Sequence, residues 1–165
     1  MARKTIVVMV LAVALLISWT AATYAESRFV LSDNVVIDNK TRLMWTRNAN
    51  LGKRTWKETV NLVAELNRKK YAGFSDWRLP SIEELETLCD YAKTMGYDGN
   101  SSTRRPAQLL NLIGFHDVQA SVYWSSTTNT GGTIYAAWYA SMYDKSVRSA
   151  YTYGMGYVWP VRAGK

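Results

Sequence analysis

The sequence is poor in the side chains that many hydrolytic and redox enzymes use. Among its 165 residues there is one cysteine, Cys89, and one histidine, His116. It contains neither a Gly-x-Ser-x-Gly motif nor a phosphate-binding loop. One histidine and one cysteine are a small inventory for nucleophilic catalysis. We therefore expect no catalytic residue, no metal site and no cofactor.

A single cysteine also excludes a disulfide within the chain. Cys89 falls on the apolar stripe of a predicted helix, where a free thiol usually behaves as a small buried hydrophobic group. The fold must therefore be held by core burial. Six of the seven tryptophans and ten of the 11 tyrosines follow residue 25 and can supply it, because each buried aromatic ring removes a large area from water.

Long runs of one charge are absent as well. Lysine and arginine total 20 against 13 acidic residues, a net charge of +7 without a basic stripe. This balance weakly favours anionic partners. We expect no nucleic-acid partner.

Residues 1–25 have the pattern of a secretory signal peptide. Two basic residues precede an uncharged apolar run from Thr5 to Trp19, and small residues lead to Ala25. The run is shorter than the ~20 residues that span a bilayer, and an uncleaved N-terminal anchor is the alternative. Cleavage would leave residues 26–165 as a single domain without stable membrane insertion, with a net charge of about +5. We expect the mature domain in the periplasm, at the cell surface or in the medium. A lipoprotein is not indicated, because no cysteine lies near the cleavage point.

The first half of this domain predicts a hairpin and a helix. Residues 35–37 and 43–45 have the composition of two strands joined by a turn. Thr55 with Glu58 forms a capping box, and apolar residues then recur at helical spacing. This helix should end near residues 68–70, where cations suit the negative end of the helix dipole.

A second helix and a long excursion follow. Ser81 with Glu84 is another capping box, directly after Pro80. Residues 93–121 have poor periodicity and should be mostly irregular, with a short helix at 107–112.

The last third has the composition of a sheet. Strands are expected at 122–127, 133–143, 147–153 and 157–162, with a turn at 144–146. A hairpin, two helices, a long loop and a terminal sheet in this order predict an α+β fold.

The alternation in residues 133–143 places Tyr135, Tyr139 and Tyr143 on one face of their strand. An open face of this kind suits sugar stacking or protein contact. The alternative is a second packed layer over the same face. Lys145 and Arg148 lie just beyond and are included among the candidate ligand-binding residues.

Arg104 and Arg105 form the best short basic cluster, within the long loop. The guanidinium fork matches sulfate or carboxylate, whereas a solvated loop tip is the alternative. Asp98 and Asn100 are the only suggestive calcium ligands in the loop, and a calcium site needs about six to eight oxygens. We therefore expect no calcium-dependent sugar site.

Several blocks resemble one family. They are Asp76-Trp77-Arg78-Leu79-Pro80-Ser81, Tyr123-Trp124-Ser125-Ser126-Thr127, Ala137-Trp138-Tyr139 and Val158-Trp159-Pro160-Val161-Arg162, with Thr41-Arg42-Leu43-Met44-Trp45 at the start. In this order they resemble the Lcl C-terminal domain, named for a bacterial collagen-like adhesin, over about residues 30–162. The family usually has glycine where Arg42 stands.

The resemblance implies a C-type-lectin-like fold, with two helices and a mainly antiparallel twisted sheet. It also implies bacterial export and, for the name-giving member, adhesion through sulfated polysaccharides. The chain lacks the collagen-like repeats of that adhesin. We assign six motif residues to structure rather than to ligand binding, because the first three surround a helix start and the others are tryptophans expected in the core: Trp77, Arg78, Pro80, Trp124, Trp138 and Trp159.

These observations favour an exported lectin-like binding or adhesion domain. Its expected partner is a sulfated or acidic polysaccharide or a surface protein. One alternative is an envelope structural or assembly protein that uses its aromatic face for self-association, and an envelope enzyme is less favoured. The sequence leaves the oligomeric state open.

Overall fold

The computed structural model describes residues 27–99, 104–128 and 135–164. The predicted signal peptide and Asn100 lie outside these residues. The described part combines three α-helices with two mostly antiparallel sheets, so the α+β prediction is confirmed. The strands are β1 (Phe29–Leu31), β2 (Val35–Asp38), β3 (Leu43–Thr46), β4 (Lys53–Arg54), β5 (Val122–Thr128), β6 (Ala136–Ser141), β7 (Val147–Tyr151), β8 (Gly156–Tyr157) and β9 (Val161–Ala163). The helices are α1 (Trp56–Arg68), α2 (Ile82–Thr94) and α3 (Pro106–Leu112), and a 3₁₀ turn lies at Tyr71–Gly73.

Both predicted capping boxes form. The Thr55 N–H donates to Glu58 at 2.9 Å, and the Ser81 N–H donates to Glu84 at 2.8 Å. Each box satisfies backbone donors that have no partner inside the helix. The first helix ends at the predicted place, with Lys69 as its C-cap. The short helix expected in the long excursion is α3, so the described part has one helix more than the two that the resemblance implies.

The first sheet has the strand order β1-β2-β3-β9, and all its pairings are antiparallel. The predicted hairpin is β2 and β3, with Val36 opposite Trp45. The last strand, β9, lies beside β3 with Val161 opposite Trp45. Strands from both ends of the described chain therefore belong to one sheet, where β1 and β9 form its two edges.

The second sheet has the order β4-β8-β5-β6-β7. Its pairings are antiparallel except for β5 with β8, which run parallel. The resemblance implies one twisted sheet, and the described strands form two. They divide because β8 and β9, only a few residues apart, pair with different partners.

The main core fills the space between the sheets and the helices α2 and α3. Trp159 lies at its centre and contacts the rings of Trp45, Phe115 and Tyr123 at centroid distances of 5.5, 5.0 and 5.3 Å. These four side chains are almost completely buried. Burial of this extent stabilises a fold without crosslinks.

A second cluster lies under α1. Val63 packs there with Trp77, Leu79 and Val158. The backbone of Arg78 forms an antiparallel bridge with Val161, which ties this segment to the first sheet.

The predicted long strand is shorter than expected. β6 spans Ala136–Ser141, and the chain turns immediately after it because the N–H of Lys145 donates to the carbonyl of Ser141 at 2.8 Å. Tyr143 therefore lies in the turn and not on the strand. Ala137 and Ala140 are both buried although they point to opposite faces, so neither face of β6 is completely open.

Candidate functional site

The tyrosines predicted to form one face lie at different places along β6. Tyr135 precedes the strand and is exposed, whereas Tyr143 lies beyond its other end. Tyr139, between them, is half-buried, and its ring meets that of Trp124 edge-on at 6.1 Å. The structure therefore replaces one tyrosine face by two separate surfaces, one at each end of the second sheet.

The turn between β6 and β7 brings together four of the predicted residues. We call Arg105, Tyr143, Lys145 and Arg148 the hairpin-end cluster. The Arg105 guanidinium carbon lies 3.4 Å from the centroid of the Tyr143 ring, a close cation–π stack. The turn is held against α3, because the N–H of Ala107 donates to the carbonyl of Met142 at 3.0 Å.

Arg148 joins this cluster from β7. It stands directly opposite Tyr139 in the ladder, so the two side chains share a face of the sheet. Arg148 is exposed, and Lys145, in the turn, is half-buried with a left-handed backbone (φ 55°). Arg104 is exposed as well, and its Nη1 lies 3.4 Å from the position a Cβ on Gly96 would take.

An acidic residue, Asp144, lies in the turn between Tyr143 and Lys145. Burial alone would raise the pKa of this carboxyl, but hydrogen bonds from Ser141 and Ser146 and the charge of Arg148 hold it below its usual value. Asp144 is therefore ionised at neutral pH. Asp144 therefore balances part of the positive charge of Arg148, and Asp98 lies in the same neighbourhood as Asp144 and Arg105.

A groove of about 440 Å³ lies between α1 and the segment 77–79. Sequence reasoning missed it, because its walls come from residues far apart in the chain. It is lined by Trp56, Val60, Val63, Ala64, Asn67, Trp77, Arg78, Leu79 and Ser126. Val60, on the predicted apolar stripe of α1, is exposed here.

The polar groups of this groove already have partners in the protein. The Asn67 side chain exchanges two hydrogen bonds with the backbone of Trp77, at 2.7 and 2.8 Å. The Trp56 indole N–H donates to Ser125 at 2.8 Å. Arg78 makes two bonds of 2.7 Å to Glu84, which neutralises its charge. The groove therefore offers mainly apolar surface and little polar recognition.

Two exposed tyrosines lie at the end of β7: Tyr151 is the last residue of the strand, and Tyr153 lies in the turn that follows. Tyr151 and Tyr153 stack with their centroids 5.2 Å apart and their planes 7° from parallel. Their exposed fractions are 61% and 71%. We call this pair the tyrosine platform; it is at the opposite end of the second sheet from the hairpin-end cluster.

Four of the six residues assigned to structure are buried, whereas Trp138 is half-buried and Arg78 is exposed. Trp77, Trp124 and Trp159 are buried, and each indole N–H donates to a backbone carbonyl, at 2.9, 3.0 and 2.9 Å. Trp138 is half-buried against the main core. Pro80 is buried beside the start of α2.

The single cysteine and the single histidine of the chain, Cys89 and His116, lie in different surroundings. Cys89 is buried on α2, its sulfur 3.8 Å from that of Met142. Burial raises the pKa of the Cys89 thiol to about 12, so it is protonated and unreactive at neutral pH. His116 is exposed, and its backbone forms a bridge with Asn48. Among the described residues no group of three or more His, Cys, Asp or Glu side chains is placed to hold a metal ion.

None of the helices in residues 27–99, 104–128 and 135–164 has the length and apolar character required to span a bilayer.

A comparison with protein families identifies the family of this chain. The family model of the Lcl C-terminal domain matches residues 34–162. The chain belongs to this family. No curated protein matches the sequence. In this Lcl C-terminal domain the matched range includes the buried Trp77, Trp124 and Trp159 as well as the hairpin-end cluster and the tyrosine platform.

Proposed function

We propose that this Lcl C-terminal domain is an exported binding domain that holds sulfated or acidic polysaccharides through the hairpin-end cluster. The observation that carries the proposal is the stack of Arg105 on Tyr143, beside Lys145 and Arg148. The family is consistent with a binding or adhesion role. Catalysis and nucleic-acid binding have no part in the proposal.

The arrangement suits a polyanion for a physical reason. A guanidinium presents planar, bidentate donors that match sulfate and carboxylate. Stacking on Tyr143 fixes the plane of the Arg105 guanidinium, so less side-chain entropy is lost when an anion binds. Because these cations are at least partly exposed, each contact should be weak and sensitive to salt. Affinity would then come from several contacts along one polysaccharide chain.

Retention on a heparin column, measured as the salt concentration at elution, tests the proposal. The double variant Arg105→Gln/Arg148→Gln should elute at clearly lower salt than the wild type. The matched control is Lys57→Gln/Arg68→Gln, which removes two exposed positive charges from α1. This control should elute close to the wild type. Equal shifts for both variants would show that only net charge matters, and absence of wild-type retention at low salt would refute the proposal.

The second candidate function is an envelope assembly protein that associates with itself. A separate observation favours it: Leu112 is 78% exposed, and Val30 and Leu31 on the edge strand β1 are exposed as well. The backbone N–H and C=O groups of an edge strand can pair with another chain, and exposed apolar side chains favour such an interface. Light scattering of the wild type and of Leu112→Glu distinguishes the two functions. A stable oligomer that the substitution dissociates would support assembly, and a strict monomer would exclude it.

A further inference from the structure

The tyrosine platform has no evident role in folding. Tyr151 stands opposite Ala136 in the ladder, and an alanine is too small to cover a phenol ring. Tyr153 follows in the turn and is the more exposed of the two. Large aromatic side chains left this exposed mark an interaction surface when they form a defined group. Here two rings form one flat, layered surface.

The backbone that carries the platform is fixed by hydrogen bonds on several sides. The N–H of Gly154 donates to the carbonyl of Tyr151 at 2.8 Å and closes the turn. The N–H of Thr152 donates to Tyr135 at 2.6 Å, and the carbonyl of Thr152 accepts from Trp56 at 3.0 Å. The rings are therefore presented in a preorganised arrangement, which lowers the entropic cost of binding.

The residues after this turn also pack tightly against the buried Trp124. A Cβ on Gly156 would lie 2.8 Å from Nε1 of Trp124, so the glycine allows the chain to lie directly on the buried indole. That indole N–H in turn donates to Arg54 at 3.0 Å. The support of the platform is thus part of the folded core and not a loose loop.

The chemistry of the platform indicates the class of its ligand. Residues 149–157 contain no acidic or basic side chain, and the nearest cations that the ladder brings to this segment are Lys53 and Arg54, opposite Tyr157 and Gly156. A phenol ring offers an apolar face and a hydroxyl that donates and accepts hydrogen bonds. A hexose ring has the complementary pattern, with a face of C–H groups and hydroxyls around its edge. The two phenol rings themselves carry no charge with which to select a sulfate or carboxylate.

We propose that the tyrosine platform is a binding site for neutral polysaccharide, in which a hexose ring stacks on the exposed face of the Tyr151–Tyr153 pair. The site is separate from the hairpin-end cluster and does not depend on the function proposed for it. One chain of mixed composition could contact both ends of the second sheet.

Native gel electrophoresis in the presence of a soluble neutral β-glucan or β-galactan tests this proposal. The wild type should be retarded by at least one of the two polymers. Tyr151→Ala and Tyr153→Ala should each weaken the retardation about fivefold or more, and Tyr153→Phe should retain most of it. Tyr135→Ala is the matched control, because Tyr135 is 62% exposed, close to the 61% of Tyr151, and is not part of the stacked pair.

The possible results separate the two sites. Arg105→Gln/Arg148→Gln should reduce heparin retention and leave β-glucan or β-galactan retardation unchanged. No retardation of the wild type by either polymer, or equal losses for Tyr135→Ala and Tyr151→Ala, would overturn the platform proposal. Because both platform tyrosines are exposed, their variants should melt at the wild-type temperature. If Tyr153→Phe had a lowered melting temperature and also lost retardation, the platform proposal would be overturned.

Discussion

The ion pair between Arg28 and Asp38 permits a quantitative test of what holds the first sheet. Arg28 donates from Nε to Oδ1 at 2.9 Å and from Nη2 to Oδ2 at 2.6 Å, and the N–H of Lys40 adds a bond of 3.0 Å. The side chains of Arg28 and Asp38 are only 11% and 0% exposed. The Arg28 guanidinium also lies 4.8 Å from the ring centroids of both Phe29 and Tyr91, which keep it in place.

Substitution Asp38→Asn should therefore leave a buried, uncompensated guanidinium. Removing one partner of a buried pair costs about 3–5 kcal/mol. We expect the low end, about 3 kcal/mol, because the amide oxygen can still accept one hydrogen bond. For a domain of this size the melting temperature should fall by about 10 °C. Urea unfolding followed by tryptophan fluorescence measures the change.

The matched control is Glu65→Gln. Its partner Lys69 lies 2.7 Å away, as close as in the buried pair, but these side chains are 41% and 67% exposed. An exposed pair contributes about 0.5 kcal/mol or less. If both substitutions cost the same, or if Asp38→Asn costs less than about 1 kcal/mol, burial does not determine the strength of the Arg28–Asp38 pair.

The same pair predicts a pH dependence. Burial alone would raise the pKa of Asp38, but the hydrogen bonds and charge of Arg28 outweigh it and hold the pKa below its ordinary value of 3.8. A lowered pKa means that the stabilisation is complete above the ordinary value and is lost as the pH falls through the folded-state value. The stability difference between wild type and Asp38→Asn should therefore be constant near neutral pH and shrink below pH 3.8. A difference that stays constant down to acid unfolding would contradict this.

Three further predictions concern the core and the helix start. The Cys89 thiol, whose pKa burial raises to about 12, should react with a disulfide reagent only after unfolding; rapid reaction of the folded protein would show that it is accessible. Gly156→Ala should lower stability by about 1–3 kcal/mol in thermal melts, because the new Cβ meets Trp124 at 2.8 Å, and an unchanged melting temperature would refute this overlap. Glu84→Gln should cost about 1–2 kcal/mol in urea unfolding, because it weakens both the capping box and the pair with Arg78; a neutral result would assign the helix start to packing alone.

Local features were predictable from the sequence. Each capping box needs only two residues three positions apart, and the β2–β3 hairpin needs only a short turn between two apolar runs. The assignment to α+β followed from the order of these elements. The placement of α1 and α2 was correct for the same reason, since their stabilising signals lie within each helix.

Long-range pairing was not predictable in the same way. β9 spans three residues, and nothing in its composition specifies β3 as its partner. The alternation of residues 133–143 continues through Tyr143, yet the ladder ends at Ser141, because hydrogen bonds in the following turn prevail over the pattern.

The two candidate sites were predictable only in part. Arg105 and Tyr143 were both identified from their types, but their contact at 3.4 Å depends on how the turn docks on α3. The stack of Tyr151 on Tyr153 depends on a turn geometry that residue type does not determine. The groove beside α1 joins Trp56 to Ser126, residues from distant parts of the chain.

The late position of β8 and β9 affects the timing of folding. β8 joins β4 to β5 in the second sheet and β9 completes the first, and both are supplied by residues 156–163. A nascent chain that has not yet released these residues lacks the central Trp159 and has neither sheet complete. We therefore expect stable structure to form after synthesis of this region and not progressively from the N-terminus.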